Sequence, residues 1–172
     1  MASRINEFFG RTGTRYIRPR TPDMLEKICG ALAMLLLACV AVAVFKGRPH
    51  WSEIPWMVWM HLTALIIVLV LTPIMLLRKR GDDWHRLLGW IWSFFMFVAA
   101  VISFVMTQGR FSIIHILSVI TVIGVPVLIL SARRRDISRH RGQARGFVIG
   151  ALIIAGFFTF PFGRLLGSWL FG

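Results

Sequence analysis

Apolar residues gather in five long runs separated by short polar interruptions. The runs extend approximately from Ile28 to Phe45, Trp56 to Leu77, Leu87 to Thr107, Phe111 to Ala132 and Gly146 to Leu170. A helix of ~20 apolar residues crosses a ~30 Å hydrocarbon core, and each run is about that long. The interruptions are Lys46 to Glu53, Arg78 to Asp83, Gln108 to Arg110 and Arg133 to Arg145. Connections this short make consecutive helices antiparallel neighbours. The pattern predicts an all-α polytopic membrane protein: a basic arm over residues 1–23, then a five-helix transmembrane domain over 24–172.

Composition agrees. The chain of 172 residues is 57% hydrophobic and 16% charged, too few charges for a wetted globular surface. A net charge of +13 would ordinarily point to nucleic acid. Sorting the basic residues by position gives another reading: sixteen lie before the first run, between the second and third runs and between the fourth and fifth, against four (Lys46, Arg48, Arg110, Arg164) on the other side. That asymmetry predicts a cytoplasmic N-terminus and an outside C-terminus in a bacterial inner membrane, with no nucleic-acid partner. Most of the seven tryptophans sit near run ends, as an interfacial belt requires. Ala41-Val42-Ala43 looks like a signal-peptidase site, but the segment before the first run is long for an n-region, so this helix is expected to be retained. Cys29 and Cys39 are separated by ten helical residues, ~15 Å, and cannot bridge.

A repeat runs through the last four helices. His61, Pro73, Arg78-Lys79-Arg80, Asp82-Asp83, His85-Arg86 and Gly89 are echoed by His115, Pro126, Arg133-Arg134-Arg135, Asp136, His140-Arg141 and Gly142, with histidine intervals of 24 and 25 residues. The two hairpins run the same way through the membrane, so their pseudo-twofold axis lies along its normal. Helices two to five are then expected to form a four-helix bundle, with His61 opposite His115 near the outer side and His85 opposite His140 near the inner side. The outer pair lies roughly 6–8 Å below the helix ends at 1.5 Å per residue.

Ionisable side chains at that depth are functional candidates because their burial must be offset. Two imidazoles from facing helices suit the axial positions of haem b, one or two copies, with Arg86 and Arg141 placed to hold propionates of an inner haem. Zinc fits less well, since no Cys, Asp or Glu lies at the outer depth. The plain alternative is that each histidine is an interhelical hydrogen-bond donor, worth ~0.6 kcal/mol on average. The inner pair can equally face lipid headgroups or water. Gly142, Gly146 and Gly150 form a small-residue stripe, read first as helix packing. His50 is expected to be solvated. No nucleophile motif or paired carboxylates support hydrolysis, and no acidic residue falls within an apolar run, which weakens an ion-coupled carrier.

The segments Met60-His61-Leu62, His85-Arg86-Leu87-Leu88-Gly89-Trp90, Phe111-Ser112-Ile113-Ile114-His115, His140-Arg141 and Ala155-Gly156-Phe157-Phe158-Thr159-Phe160-Pro161 resemble a family of bacterial predicted membrane proteins known as a domain of unknown function. Ile113 departs from the proline frequent there, and the resemblance implies no established activity. The order of four histidines on four successive helices is also similar to the ascorbate-reducible diheme cytochromes b. That similarity, one of arrangement alone, implies His61 and His115 as ligands of an outer haem and His85 and His140 as ligands of an inner one. Two functions follow as expectations: a haem-binding electron-transfer protein, serving a quinone or another acceptor, or a cofactor-free accessory subunit packed against a larger membrane complex.

Overall fold

The computed structural model describes residues 22–78, 81–106, 113–161 and 163–172. Its regular elements are all helical, with no strand among the described residues. Four long helices lead: α1 (Met24–Lys46), α2 (Trp56–Leu77), α3 (Asp83–Val105) and α4 (Ile113–Arg133). All four are long and apolar enough to cross a membrane. The short α5 (Ile137–Gly146) continues directly through a π-helical stretch, Phe147–Ile154, into α6 (Ala155–Phe157), and α7 (Leu165–Phe171) ends the chain. A 3₁₀ turn, Arg48–Glu53, joins α1 to α2.

Aspartates set three of the helix starts. Asp23 and Glu26 form a reciprocal capping box, each side chain accepting the other's backbone N–H, so α1 begins four residues before its apolar run. Asp82 accepts from the His85 amide and Asp136 from the Arg139 amide, starting α3 and α5. The turn between α4 and α5 is a Schellman closure, with the Arg135 amide donating to Ala132 and the Asp136 amide to Ser131. Arg135 occupies its left-handed position at φ 56°, where glycine is the usual residue.

The helices form a ring. Each of α1 to α4 packs on its sequence neighbours, and α1 closes the circle by packing against the π-helical stretch and α7. Leu36 of α1 packs against Gly156, and Gly47 at its end lies under Trp169 of α7. The first helix therefore lies between α2 and the last segment, where a four-helix bundle of the last four helices would have left it outside. Bulky apolar side chains such as Leu35, Phe94 and Ile123 point outward, as lipid-facing residues do.

The expected single helix from Gly146 to Leu170 is replaced by a broken segment. Its polar first half, α5, extends the helix backward to Ile137, and Pro161 and Gly163 (φ 65°) stop it beyond Phe157. α7 then turns back so tightly that a Cβ on Gly167 would overlap the Phe160 carbonyl. The segment nonetheless meets α1 at both ends: Arg141 and Arg145 contact Glu26, while Lys46 Nζ donates to the Leu170 carbonyl at 2.6 Å.

Candidate functional site

All four candidate histidines are partly buried. His61 Nδ1 lies 2.9 Å from the carbonyl of Ala99 on α3, and His140 Nδ1 lies 3.2 Å from the carbonyl of Leu128 on α4. A carbonyl can only accept, so in both rings Nδ1 carries the proton and donates. With Nδ1 engaged in this way, Nε2 is the ring nitrogen left for a further partner, the arrangement seen in metal-bound histidines whose second nitrogen is held by backbone. The alanine that holds the His61 ring, Ala99, and its neighbour Ala100 are buried, as is Ala64, one turn along α2 from His61. On α4, Ser118, one turn beyond His115, donates to Ser103 of α3 at 3.3 Å.

The caps define the register of the repeat, and they separate the outer from the inner pair. Asp82 and Asp136 are 54 residues apart, as are His61 and His115. His85 and His140 are 55 apart, so the cap-equivalent of His85 is Arg139, whose amide makes the same bond to its aspartate. One residue of helix is ~100° of rotation, so the inner histidines are staggered about their helices.

The arginines expected beside the inner pair are engaged elsewhere. Arg86 donates to Asp83 at 2.7 Å in an exposed pair. Arg141 makes a bidentate contact to Glu26 (2.7 and 2.8 Å), and Arg145 adds two more bonds to the same carboxylate (2.9 and 3.1 Å) as well as one to Asp23. Glu26 is only 1% exposed. Hydrogen bonds to Glu26 hold the Arg141 guanidinium further above its already high range. Two carboxylates and two guanidinium groups thus form a neutral quartet joining the start of α1 to α5. It was hidden in the sequence because Glu26 lies just outside its apolar run, although Asp23-x-x-Glu26 and the four-residue spacing of Arg141 and Arg145 are its local traces.

The opposite end is tied by aromatic rings. Trp59 packs edge-on to Trp51 at 5.3 Å and against Trp169 at 6.4 Å, and Trp169 lies over Gly47, where no side chain would fit. Trp51 Nε1 donates to the Val44 carbonyl.

Of the glycine stripe, Gly142 and Gly146 face open space, and Gly150 has only Leu117 at 4.0 Å. Close packing falls on glycines outside the stripe, such as Gly124 under Phe147 and Gly156 under Leu36. Among the described residues no three His, Cys, Asp or Glu side chains converge into a metal cluster. The basic arm up to residue 21, Lys79, Arg80 and the connection over 107–112 lie outside the described residues. No family model, curated protein or solved structure matches the chain.

Proposed function

We propose that this is a membrane electron-transfer protein whose outer histidines, His61 and His115, hold one haem b, the ring being completed by a fifth, broken crossing and the basic end facing the cytoplasm of a bacterial inner membrane. The observation that carries the reading is the His61 ring, fixed through Nδ1 to the Ala99 carbonyl with Nε2 left as the ligand nitrogen. The shared 54-residue offset of the caps and the outer histidines makes the two rings equivalent in the repeat. Bound haem would supply one-electron chemistry, while the chain would fix the two rings and exclude water with its apolar wall. Arg141 does not fit as a propionate holder, since Glu26 already takes its guanidinium. The stagger of His85 and His140 favours a single haem. A quinone is the apolar electron partner most readily reached from within the bilayer.

The test is the absorption and redox difference spectrum of protein purified from haem-replete cells, with haem quantified. One haem per chain, lost in His61→Gln and His115→Gln, is expected. A colourless wild type, or haem content unchanged by both substitutions, would refute the assignment. A cofactor-free accessory subunit is the second reading. The open backbone at Gly142 and Gly146 favours it, because a partner helix could approach there closely. Gentle extraction would then recover a stoichiometric partner with no haem.

A further inference from the structure

The basic end of the ring carries charge that the internal quartet leaves unused. Trp84 and Trp90 on α3 are 59% and 51% exposed. Each is covered by an arginine from the C-terminus of a flanking helix: Arg78 of α2 lies 5.9 Å from the Trp84 ring centre, and Arg133 of α4 lies 5.4 Å from that of Trp90. Arg78 also pairs with Asp82 at 3.3 Å. Arg133, Arg134, Arg135 and Arg139 are exposed, and among the described residues no carboxylate lies within ion-pair distance of any of them.

Two ordinary causes account for some of this. Cations favour helix C-termini, and cytoplasmic connections are basic in general. Neither requires an arginine at the left-handed position of the α4 turn, where glycine avoids the steric cost, nor a planar guanidinium laid over an exposed indole. The arrangement has three planar cations in sequence, one already oriented by a ring at membrane-interface level, beside an outward apolar wall of Leu87, Phe94 and Leu130.

We propose that the α3–α4 edge is a binding site for an anionic phospholipid, its headgroup phosphate held by Arg133 over Trp90 with Arg134 and Arg135 beside it, and its acyl chains lying along the exposed apolar residues. Guanidinium groups pair phosphate oxygens two at a time, and basic pockets at the cytoplasmic ends of helices select such headgroups.

The full chain, reconstituted in phosphatidylcholine, is titrated with brominated phosphatidylglycerol or brominated phosphatidylcholine, and quenching of tryptophan fluorescence is read. Preferential quenching by the anionic lipid is expected, and Trp90→Phe should remove its largest component. Arg133→Gln should lower the preference about fivefold, the effect of one interfacial cation, and Arg133→Lys by less. Arg48→Gln at the far end should change nothing. Inorganic phosphate at matched concentration should not relieve the quenching; relief would make the site one for free phosphate. Equal quenching by the two lipids in wild type, a preference unchanged in Arg133→Gln with Arg134→Gln, or an equal loss in Arg48→Gln would each overturn the proposal. Unchanged far-ultraviolet circular dichroism in each variant separates lost binding from lost fold.

Discussion

Replacing Glu26 by glutamine removes one charge and almost no volume. In the folded ring, the Glu26 carboxylate accepts four guanidinium bonds of 2.7 to 3.1 Å. The arginine side chains it neutralises are 14% and 23% exposed, so water cannot replace it fully. Asp23, at 44% exposure, would be left to face both alone. Removing one partner of such a group strands an uncompensated charge and costs about 3–5 kcal/mol, whereas exchanging the whole group for apolar side chains of similar volume is near neutral or stabilising. Glu26→Gln should therefore destabilise by about 3 kcal/mol or more, with Glu26→Leu/Arg141→Leu/Arg145→Leu recovering most of that loss. Unfolding by a graded denaturing detergent in mixed micelles, followed by circular dichroism, measures both. A Glu26→Gln protein within about 0.5 kcal/mol of wild type, the scatter of ordinary surface substitutions, would refute the claim that this quartet closes the ring.

Further expectations use the same unfolding assay. Thr72 donates to the Val68 carbonyl at 2.7 Å and accepts from Trp92 Nε1 at 3.0 Å, so Thr72→Val should cost about 1–3 kcal/mol by orphaning a buried indole N–H. Adding Trp92→Phe should restore much of it. Gly167→Ala sets a Cβ against the Phe160 backbone carbonyl, which cannot rotate away, and should cost about 1–3 kcal/mol or detach α7. Arg135→Gly should gain roughly 1 kcal/mol by relieving the left-handed arginine. The His85 amide bond, with Arg78 nearby, holds the Asp82 carboxyl below its ordinary range. A carboxyl depressed in the folded state stabilises above its unfolded pKa and ceases to as pH falls through its folded one. The difference in unfolding midpoint between wild type and Asp82→Ala should accordingly be constant near neutrality and shrink in acid.

The four long helices could be read directly from apolar block length, because lipid imposes a composition that any one sequence displays. Their starts could not be read from apolarity alone. Asp23 and Asp82 begin α1 and α3 four residues before the runs at Ile28 and Leu87, because a capping carboxylate continues the helix into polar sequence. Closure of the ring by α1 was invisible for a different reason. Glu26 and Arg141 are 115 positions apart, and neither lies in an apolar run, so nothing local marks their meeting. The repeat predicted two matched histidine pairs. The outer pair keeps the register of the caps, but a one-residue insertion before His140 rotates the inner one.

The unlike construction of the two ends follows from the order in which the ring can close. α1 meets α2 through a short connection, so those contacts are local, whereas its contacts with α5 and α7 join residues more than a hundred positions apart. Non-local contacts form late, because loop closure must be offset before they reward the chain. Until α5 arrives, Glu26 needs water, and only a position at the membrane edge supplies it; an equivalent carboxylate at mid-helix would have none. The aromatic end has no such requirement, since Trp51, Trp59 and Trp169 are tolerated at an interface whether or not they have met. The ionic contacts therefore belong at the basic end, where the arginines of α5 enter from the same side as Glu26. The interior between the two ends is left free of carboxylates among the described residues. In that interior the ring of His61 is fixed by a backbone carbonyl with no carboxylate among the described residues competing to accept its N–H.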